Sequence, residues 1–286
     1  MLTADADYTT DDLMCVCISR QVEDGELLAQ GIATPLVAAG YLLAKSTHAP
    51  NVVLASAIGN VLCTRTAPLG LARAEEMWLD HALSRWDFCQ AACEILPSLA
   101  PKEFFRPAQV GPEGHFNNVV IGPYRHPQLR LPGSGGIGDI TPFHHRVYLY
   151  VPRHSRAVFV EKPDFLSGLG TPTLDRPGRR PGPRMLISDL GTFDFEPGRM
   201  RLRTIHPGIT VDHVRDSTGF AVEVAPDLRE TPPPDPVEVR LLREVIDPLG
   251  IRALERMSGP KRRQRLREIA AAEWGRTGQG RGTTYQ

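Results

Sequence analysis

An α/β fold, with an open and mostly parallel sheet flanked by helices, is what this sequence predicts, and three observations predict it. Val52-Val53-Leu54 runs into Ala55-Ser56-Ala57-Ile58-Gly59-Asn60 without polar alternation, the pattern of a strand buried on both faces. An Ala- and Leu-rich helix opened by Thr34-Pro35 stands before it, and an apolar stretch at 27–32 precedes that helix. Strand–helix–strand order implies parallel strands joined by right-handed crossovers. Finally, short strand-like segments separated by Gly, Pro and polar turns continue to about residue 205. Ligands of such sheets bind beyond the carboxyl ends of the strands, so 55–60 is where chemistry is expected. Yet Ser56, Ala57 and Ile58 supply neither an acid nor a base.

Each element has a local reason. Asp11 and Asp12 are placed to cap a helix over 13–22, with Leu13, Val16 and Cys17 on one face. Glu23-Asp24-Gly25-Glu26 breaks it before the strand at 27–32. The next helix, Pro35–Ser46, is almost wholly apolar and is expected to lie on the sheet, and Pro50 ends its connection to the strand at 52. A helical pattern over 74–96 reads as two helices joined near Ser84 and closed by Pro97 and Pro101. Strands are expected at 103–105 and 118–122, divided by the turn-rich 110–114, then at 147–151, 157–160, 185–188 and 200–205, with a long turn-rich stretch at 172–184. Short helices at 237–246 and 251–257 finish the body. After Gly259-Pro260 the composition changes to Lys261-Arg262-Arg263-Gln264-Arg265-Leu266-Arg267. The expected organisation is therefore one domain over 1–258 and a basic, partly disordered tail over 259–286.

Composition narrows the function. The 286 residues carry 33 Lys and Arg against 33 Asp and Glu, so no field of one sign recruits nucleic acid or membrane to the whole molecule. Five cysteines, an odd number, stand behind an acidic N-terminus unlike a secretory leader, which points to reduced thiols in the cytoplasm. No apolar run approaches the roughly 20 residues that span a bilayer. Cys89 and Cys93 share a helix face at metal-ligand spacing, but Phe88, Ala91, Ala92 and Ile95 around them favour a core helix, and no metal is assigned. His48, His115, His144, His145 and His154 are acid/base candidates by type alone, with no HExxH spacing and no Gly-x-Ser-x-Gly elbow. Gly133, Gly135, Gly136 and Gly138 allow tight turning and free N–H groups that can hold a phosphate or thioester oxygen. Lacking both a dinucleotide fingerprint and a Gly-Lys-Ser/Thr ending, the cluster by itself leaves ligand loop and plain turn equally open.

Several segments together resemble the beta subunit of family I coenzyme A transferases. They are Thr47-His48-Ala49-Pro50 with the strand after it, Phe105-Arg106-Pro107-Ala108-Gln109-Val110 with Gly114 to Asn118, and Leu131-Pro132-Gly133-Ser134-Gly135-Gly136. Val151-Pro152-Arg153-His154-Ser155-Arg156, Ser188-Asp189-Leu190-Gly191 with Phe193, and His206-Pro207-Gly208 continue the match in order, over about 23–257. The resemblance implies the NagB/RpiA-like fold of that family, an alpha subunit partner of similar fold in a heterodimer or heterotetramer, and an active site where the two meet. It implies no permanently bound cofactor; coenzyme A enters as part of the acyl-CoA substrate.

In that family the beta subunit supplies a glutamate at the end of this strand, which attacks the thioester and becomes a glutamyl-CoA thioester. Here the matching position is Ser56, and no Glu occurs from Val52 through Arg65. Some relatives with this fold and no such glutamate resemble hydrolases, decarboxylases or carbon–carbon lyases on acyl-CoA substrates. Segments at 158–161, 167–170 and 214–218 are similar to steroid-ring-degrading hydrolases. The expected function is thus an acyl-CoA enzyme by a non-transferase route, with Ser56 lining the site, Gly133, Gly135 and Gly136 holding thioester or CoA, and Gln109 and Asn117 as polar contacts. Transfer through a carboxylate elsewhere and a non-catalytic structural subunit are the alternatives. A ligand-sensing regulator that touches nucleic acid lacks any recognition module.

Overall fold

The computed structural model describes residues 8–71, 74–172, 182–196 and 198–277. The end of the basic tail and most of the expected turn at 172–184 fall outside these residues. In chain order the elements are α1 Thr10–Ser19, β1 Leu27–Gln30, α2 Pro35–Ser46, β2 Val53–Ser56, β3 Val61–Cys63, α3 Ala74–Leu79 and β4 Ala82–Arg85. There follow α4 Phe88–Gln90, a π-helical turn Ala91–Ile95, α5 Leu96–Leu99, β5 Lys102–Phe105, β6 Gln109–Val110, β7 Phe116–Asn117, β8 Val120–Ile121, β9 Leu129–Arg130 and α6 Ile137–Ile140. The last part comprises β10 Val147–Val151, β11 Met185–Ser188, β12 Gly191–Asp194, β13 Arg201–Ile205, α7 Val211–Asp216, β14 Glu223–Glu230 and α8 Pro236–Arg240. A second π turn, Leu241–Ile246, a 3-10 turn, Ile251–Glu255, and α9 Gly259–Thr277 complete it. Among the described residues no helix is long and apolar enough to cross a membrane.

Ten strands belong to one mixed sheet, and the chain separates into two compact units. The first holds residues 1–26, 30–86 and 234–286, the second 27–29 and 87–233. Because the chain passes between them several times, no single linker marks the division.

In the first unit α1 and α2 pack closely. A Cβ on Gly40 would meet Ile18 Cγ2 at 2.6 Å and the Cys15 carbonyl at 2.9 Å, so only glycine permits this approach. Thr9 caps α1 through a capping box with Asp12, so the helix begins at Thr10, three residues ahead of the expected start. β2 follows α2 and runs parallel to the line of β1, since Val53 N–H donates to the Glu26 carbonyl (2.9 Å) and Ala57 N–H to that of Gln30 (3.0 Å). β2, β3 and β4 then form an antiparallel meander. The expected helix joint at Ser84 is instead the middle of β4, paired with Leu62. Edge pairing, with Leu83 left 67% exposed, has overridden the local helical pattern.

The second unit carries the parallel centre, in which β10 lies between β5 and β11 and β5 pairs with β1. β12 is antiparallel to β11 and β13 and makes a ribbon at the side, beyond which β14 runs parallel to β13. One face of this sheet, Phe105, Val147, Leu149, Leu186, Phe193 and Leu202, forms the core with Ile140 of α6 and Val214 of α7. Residues 157–160 form a turn and an isolated bridge in place of a full strand: Val158 and Phe159 N–H both return to the Ser155 carbonyl, at 2.9 Å each, and Phe159 bridges Val110 in parallel. Phe159 is spent on packing, its ring stacked on His154 at 3.5 Å. Cys89 and Cys93 are exposed, against the expected core helix, because the π turn puts Ala91 and Ala92 inward instead. No cluster of metal-binding side chains occurs among the described residues.

Candidate functional site

Ser56 ends β2, and the segment before it explains how that end is fixed. Lys45 Nζ donates to the carbonyls of Pro50 (2.8 Å) and Val52 (3.1 Å). Asp24 accepts from both the backbone N–H and side-chain amide of Asn51, at 2.7 and 2.8 Å, which holds its carboxyl below the usual range. His48 Nε2 lies 3.1 Å from the Val22 carbonyl, and Thr47 Oγ1 donates to that of Leu43. Thr47-His48-Ala49-Pro50-Asn51 is therefore a strap that aims β2, not a reactive group. Beyond Ser56 the chain turns back through Gly59 and Asn60, both at positive φ. Ser56 is 4% exposed, and its Oγ accepts the Ile58 N–H at 3.1 Å. No imidazole or carboxylate is hydrogen-bonded to this hydroxyl among the described residues, so nothing here would activate it as a nucleophile.

In the second unit the glycine loop leaves β9 under restraint. Leu131 N–H donates to the Val119 carbonyl and Gly133 N–H to that of Asn118, both at 3.0 Å. Gly133 (φ 115°) and Gly136 (φ 78°) need the left-handed backbone that glycine provides. The loop closes with Ile137 N–H on the Ser134 carbonyl (2.9 Å) and enters α6. Between these anchors the N–H groups of Ser134, Gly135 and Gly136 have no acceptor among the described residues. A Cβ on Gly133 or Gly138 would meet nothing within 4 Å, and one on Gly135 only Phe88 Cζ at 3.9 Å. The loop thus combines three uncommitted donors with open space at the Cβ positions of Gly133 and Gly138.

Gln109 and Asn117 are brought together, on the paired strands β6 and β7. Asn117 Nδ2 donates to Gln109 Oε1 (2.8 Å) and to the Val120 carbonyl (2.6 Å), while its Oδ1 accepts the Val119 N–H (2.9 Å). Gln109 Nε2 donates to Asp164 Oδ2 at 3.0 Å, which also accepts the Gly122 N–H at 2.9 Å. Asn118 extends the brace: its Oδ1 accepts the Ala108 N–H at 2.8 Å, and its carbonyl anchors Gly133. These amides hold the ribbon from which the glycine loop springs, and Asp164 is a member that residue type alone does not mark.

Two further titratable groups stand out in the same unit. His154, beyond β10, bonds Ser188 Oγ through Nδ1 (3.1 Å) and Thr218 Oγ1 through Nε2 (2.9 Å). Burial, with a smaller contribution from His213, lowers its pKa to about 3, so it is a neutral packed ring and not a proton shuttle at neutral pH. Glu103, on β5, shares a sheet face with Phe105 and Val147; Oε2 has no partner among the described residues, and burial raises its pKa to about 8. An acid inside the run Glu103-Phe104-Phe105 is the sequence signal for it. It stands near the start of β5, away from the strand ends where ligands bind in such sheets.

An α/β sheet with a glycine loop leading into α6 sets the class of fold, and comparison with known proteins sets the family. No family model matches the chain. It is 29% identical to the beta subunit of glutaconate CoA-transferase from Acidaminococcus fermentans, over 84% of this chain and 93% of the relative. Identity is 30% both to the corresponding subunit of 3-oxoadipate CoA-transferase from Pseudomonas knackmussii (82% and 92% covered) and to the cholesterol ring-cleaving hydrolase IpdB subunit of Rhodococcus jostii (81% and 89%). Among solved structures, the decarboxylase AibA/AibB matches with a TM-score of 0.74 at 30% identity, covering 85% of this chain and 97% of that one. IpdAB of Rhodococcus jostii matches with 0.76 at 25% identity, covering 88% and 100%. The chain belongs to the family I coenzyme A transferases and stands with their beta subunits, among which are subunits of transferases and of a hydrolase.

Proposed function

We propose that this chain is the beta subunit of a heteromeric enzyme that acts on an acyl-CoA thioester by hydrolysis, decarboxylation or carbon–carbon cleavage, with an alpha subunit as its partner. The observation that carries the reading is the glycine loop, in which the N–H groups of Ser134, Gly135 and Gly136 have no acceptor among the described residues. Donors fixed in this way can bind the thioester oxygen and stabilise the negative charge that develops on it. Gln109 and Asn117 serve the same site by bracing the ribbon behind the loop. Ser56, which stands where transferases of the family carry their glutamate, offers a hydroxyl and no carboxylate. This favours attack by water or loss of a neighbouring carbon group over formation of an enzyme–CoA thioester.

The loop offers a clean test because its glycines differ. Gly133→Ala and Gly136→Ala force a side chain into the left-handed region, whereas Gly135 lies outside it and has room for a Cβ. Gly135→Ala is expected to fold with an unchanged melting temperature while acyl-CoA turnover falls about tenfold or more, as for a partly obstructed oxyanion site. Undiminished turnover in a folded Gly135→Ala complex contradicts the reading.

A further inference from the structure

We propose that the β8–β9 hairpin carries a phosphate-binding subsite for coenzyme A, in which the guanidinium groups of Arg130 and Arg125 hold the phosphates of its nucleotide end. This rests on the reading of the glycine loop as the thioester-binding element. It extends that reading to the part of the substrate that every acyl-CoA shares, whatever the acyl group and whichever bond is broken.

The hairpin stands apart from the ten-stranded sheet, β8 and β9 forming a two-stranded sheet of their own. Two strands alone are marginally stable in water, and this pair is tied down from outside. The Gly122 N–H donates to Asp164 Oδ2 (2.9 Å), and the Tyr124 ring stacks on that of Phe165 with centroids 5.5 Å apart. At the foot, the Leu131 N–H returns to the Val119 carbonyl at 3.0 Å. Both residues of β9, and Tyr124 and Arg125 at the tip, nevertheless remain exposed.

What the hairpin displays is cationic. From Val119 to Gly138 the sequence holds Arg125, His126 and Arg130 and no Asp or Glu, in a chain whose total charge is balanced. Among the described residues neither arginine is paired with a carboxylate, and Asp164 is engaged by Gln109 Nε2 and the Gly122 N–H. Arg130 is held in one pose. Its Nη2 donates to the Tyr124 carbonyl at 2.7 Å, and its Cζ lies over the Tyr124 ring, 4.6 Å from the centroid. Among the described residues no other donor of this guanidinium is engaged, so the rest of the fork is open to a ligand. A planar fork oriented beforehand suits phosphate, which it can meet through two N–H groups while losing little further side-chain entropy.

The hairpin and the glycine loop are one continuous piece of chain. Arg130 ends β9, and the stretch from there to Gly135 spans at most about 18 Å. The Gly133 N–H on the Asn118 carbonyl ties the loop back to the foot of the hairpin. A thioester oxygen on the loop N–H groups and phosphates on the two arginines are thus set apart by a distance that the uncharged pantetheine arm between them can cover. Attraction at exposed arginines is screened by salt, so this part of the binding weakens as ionic strength rises.

The test uses the full chain co-expressed with its alpha subunit. Calorimetric Kd is measured for S-acetonyl-CoA and S-acetonylpantetheine, ketones that resist hydrolysis and differ only in the nucleotide end. Arg130→Gln and Arg125→Gln are each expected to weaken S-acetonyl-CoA binding about tenfold, the usual loss for a charge-assisted hydrogen bond, and to leave S-acetonylpantetheine binding unchanged. Added salt should weaken the first ligand and not the second. Unchanged S-acetonyl-CoA affinity in either variant overturns that arginine's part, and in both it overturns the subsite while leaving the loop reading intact. Equal weakening of the two ligands also overturns the subsite, as does loss of the alpha subunit from a variant on gel filtration, which would make the hairpin an assembly contact. Gly135→Ala is expected to weaken both ligands alike; if it changes neither, the loop reading falls and the arginine result stands by itself.

Discussion

At the scale of single residues, burial decides which titratable groups can do chemistry. His154 has the residue type of an acid/base catalyst, yet its ring is stacked on Phe159 and bonded at both nitrogens, with its pKa pushed down to about 3. Folding therefore keeps it neutral where the unfolded chain would take up a proton, and its contribution to stability is lost as pH falls from about 6.5 toward 3. Glu103 acts in the opposite sense. Its folded pKa of about 8 exceeds the ordinary carboxylate value, so between about 4.5 and 8 the folded state holds a proton that the unfolded state has released. Its effect is a loss of stability as pH rises through that window, by up to about 1.4 kcal/mol per pH unit. Glu103→Gln is expected to remove that slope and to raise the melting temperature relative to wild type at pH 8 more than at pH 5. Equal shifts at the two pH values, read by calorimetric scans, would contradict a buried, unpaired carboxyl.

At the scale of elements, the ends of the chain in the first unit are joined by a buried ionic network. Arg252 donates from Nη2 to Asp12 (2.6 Å) and from Nη1 to Asp247 (2.8 Å), and Arg243 adds a 2.7 Å contact to Asp12. Burial works to raise Asp12, but the Thr9 N–H and the two guanidinium groups outweigh it and hold the carboxyl below its usual range. Arg252→Met would leave two carboxylates buried without their shared cation and is expected to destabilise the chain by about 3–5 kcal/mol, measurable by urea unfolding. A loss below about 1 kcal/mol would mean that the network is dispensable.

Much of the element pattern is legible in the sequence, and the misses share a cause. α2 has its observed bounds written in Thr34-Pro35 and the apolar run after it, which are local signals. β10 and β11 are visible for the same reason. β4 and β12 are not: Ala82–Arg85 and Gly191–Asp194 have little apolar character, and they become strands only through pairing with β3 and with β11 and β13. The candidate site is legible where glycine spacing carries it, at Gly133, Gly135 and Gly136. It is not legible at Asp164, whose part in the Gln109–Asn117 brace depends on a contact 55 residues distant in sequence. The exposure of Phe88 is hidden for a related reason, since α-helical periodicity places it with Ala92 and the π turn changes that register.

At the scale of the whole molecule, family membership and the local chemistry at β2 pull in different directions. Relatives of similar length include CoA-transferase subunits, yet Ser56 closes β2 with its hydroxyl oxygen engaged by the Ile58 N–H and no base bonded to it among the described residues. The proposed function therefore has this chain take part in acyl-CoA chemistry without carrying CoA as a covalent adduct. Intact-mass analysis decides the matter, applied to this chain after the complex has been incubated with its acyl-CoA substrate and quenched in acid, with free thiol titrated in parallel. The chain mass is expected to stay unmodified throughout turnover, with thiol release or a decarboxylated or cleaved thioester as product. A chain that gains the mass of CoA in thioester linkage, together with exchange of CoA onto an added carboxylate, would contradict the proposal.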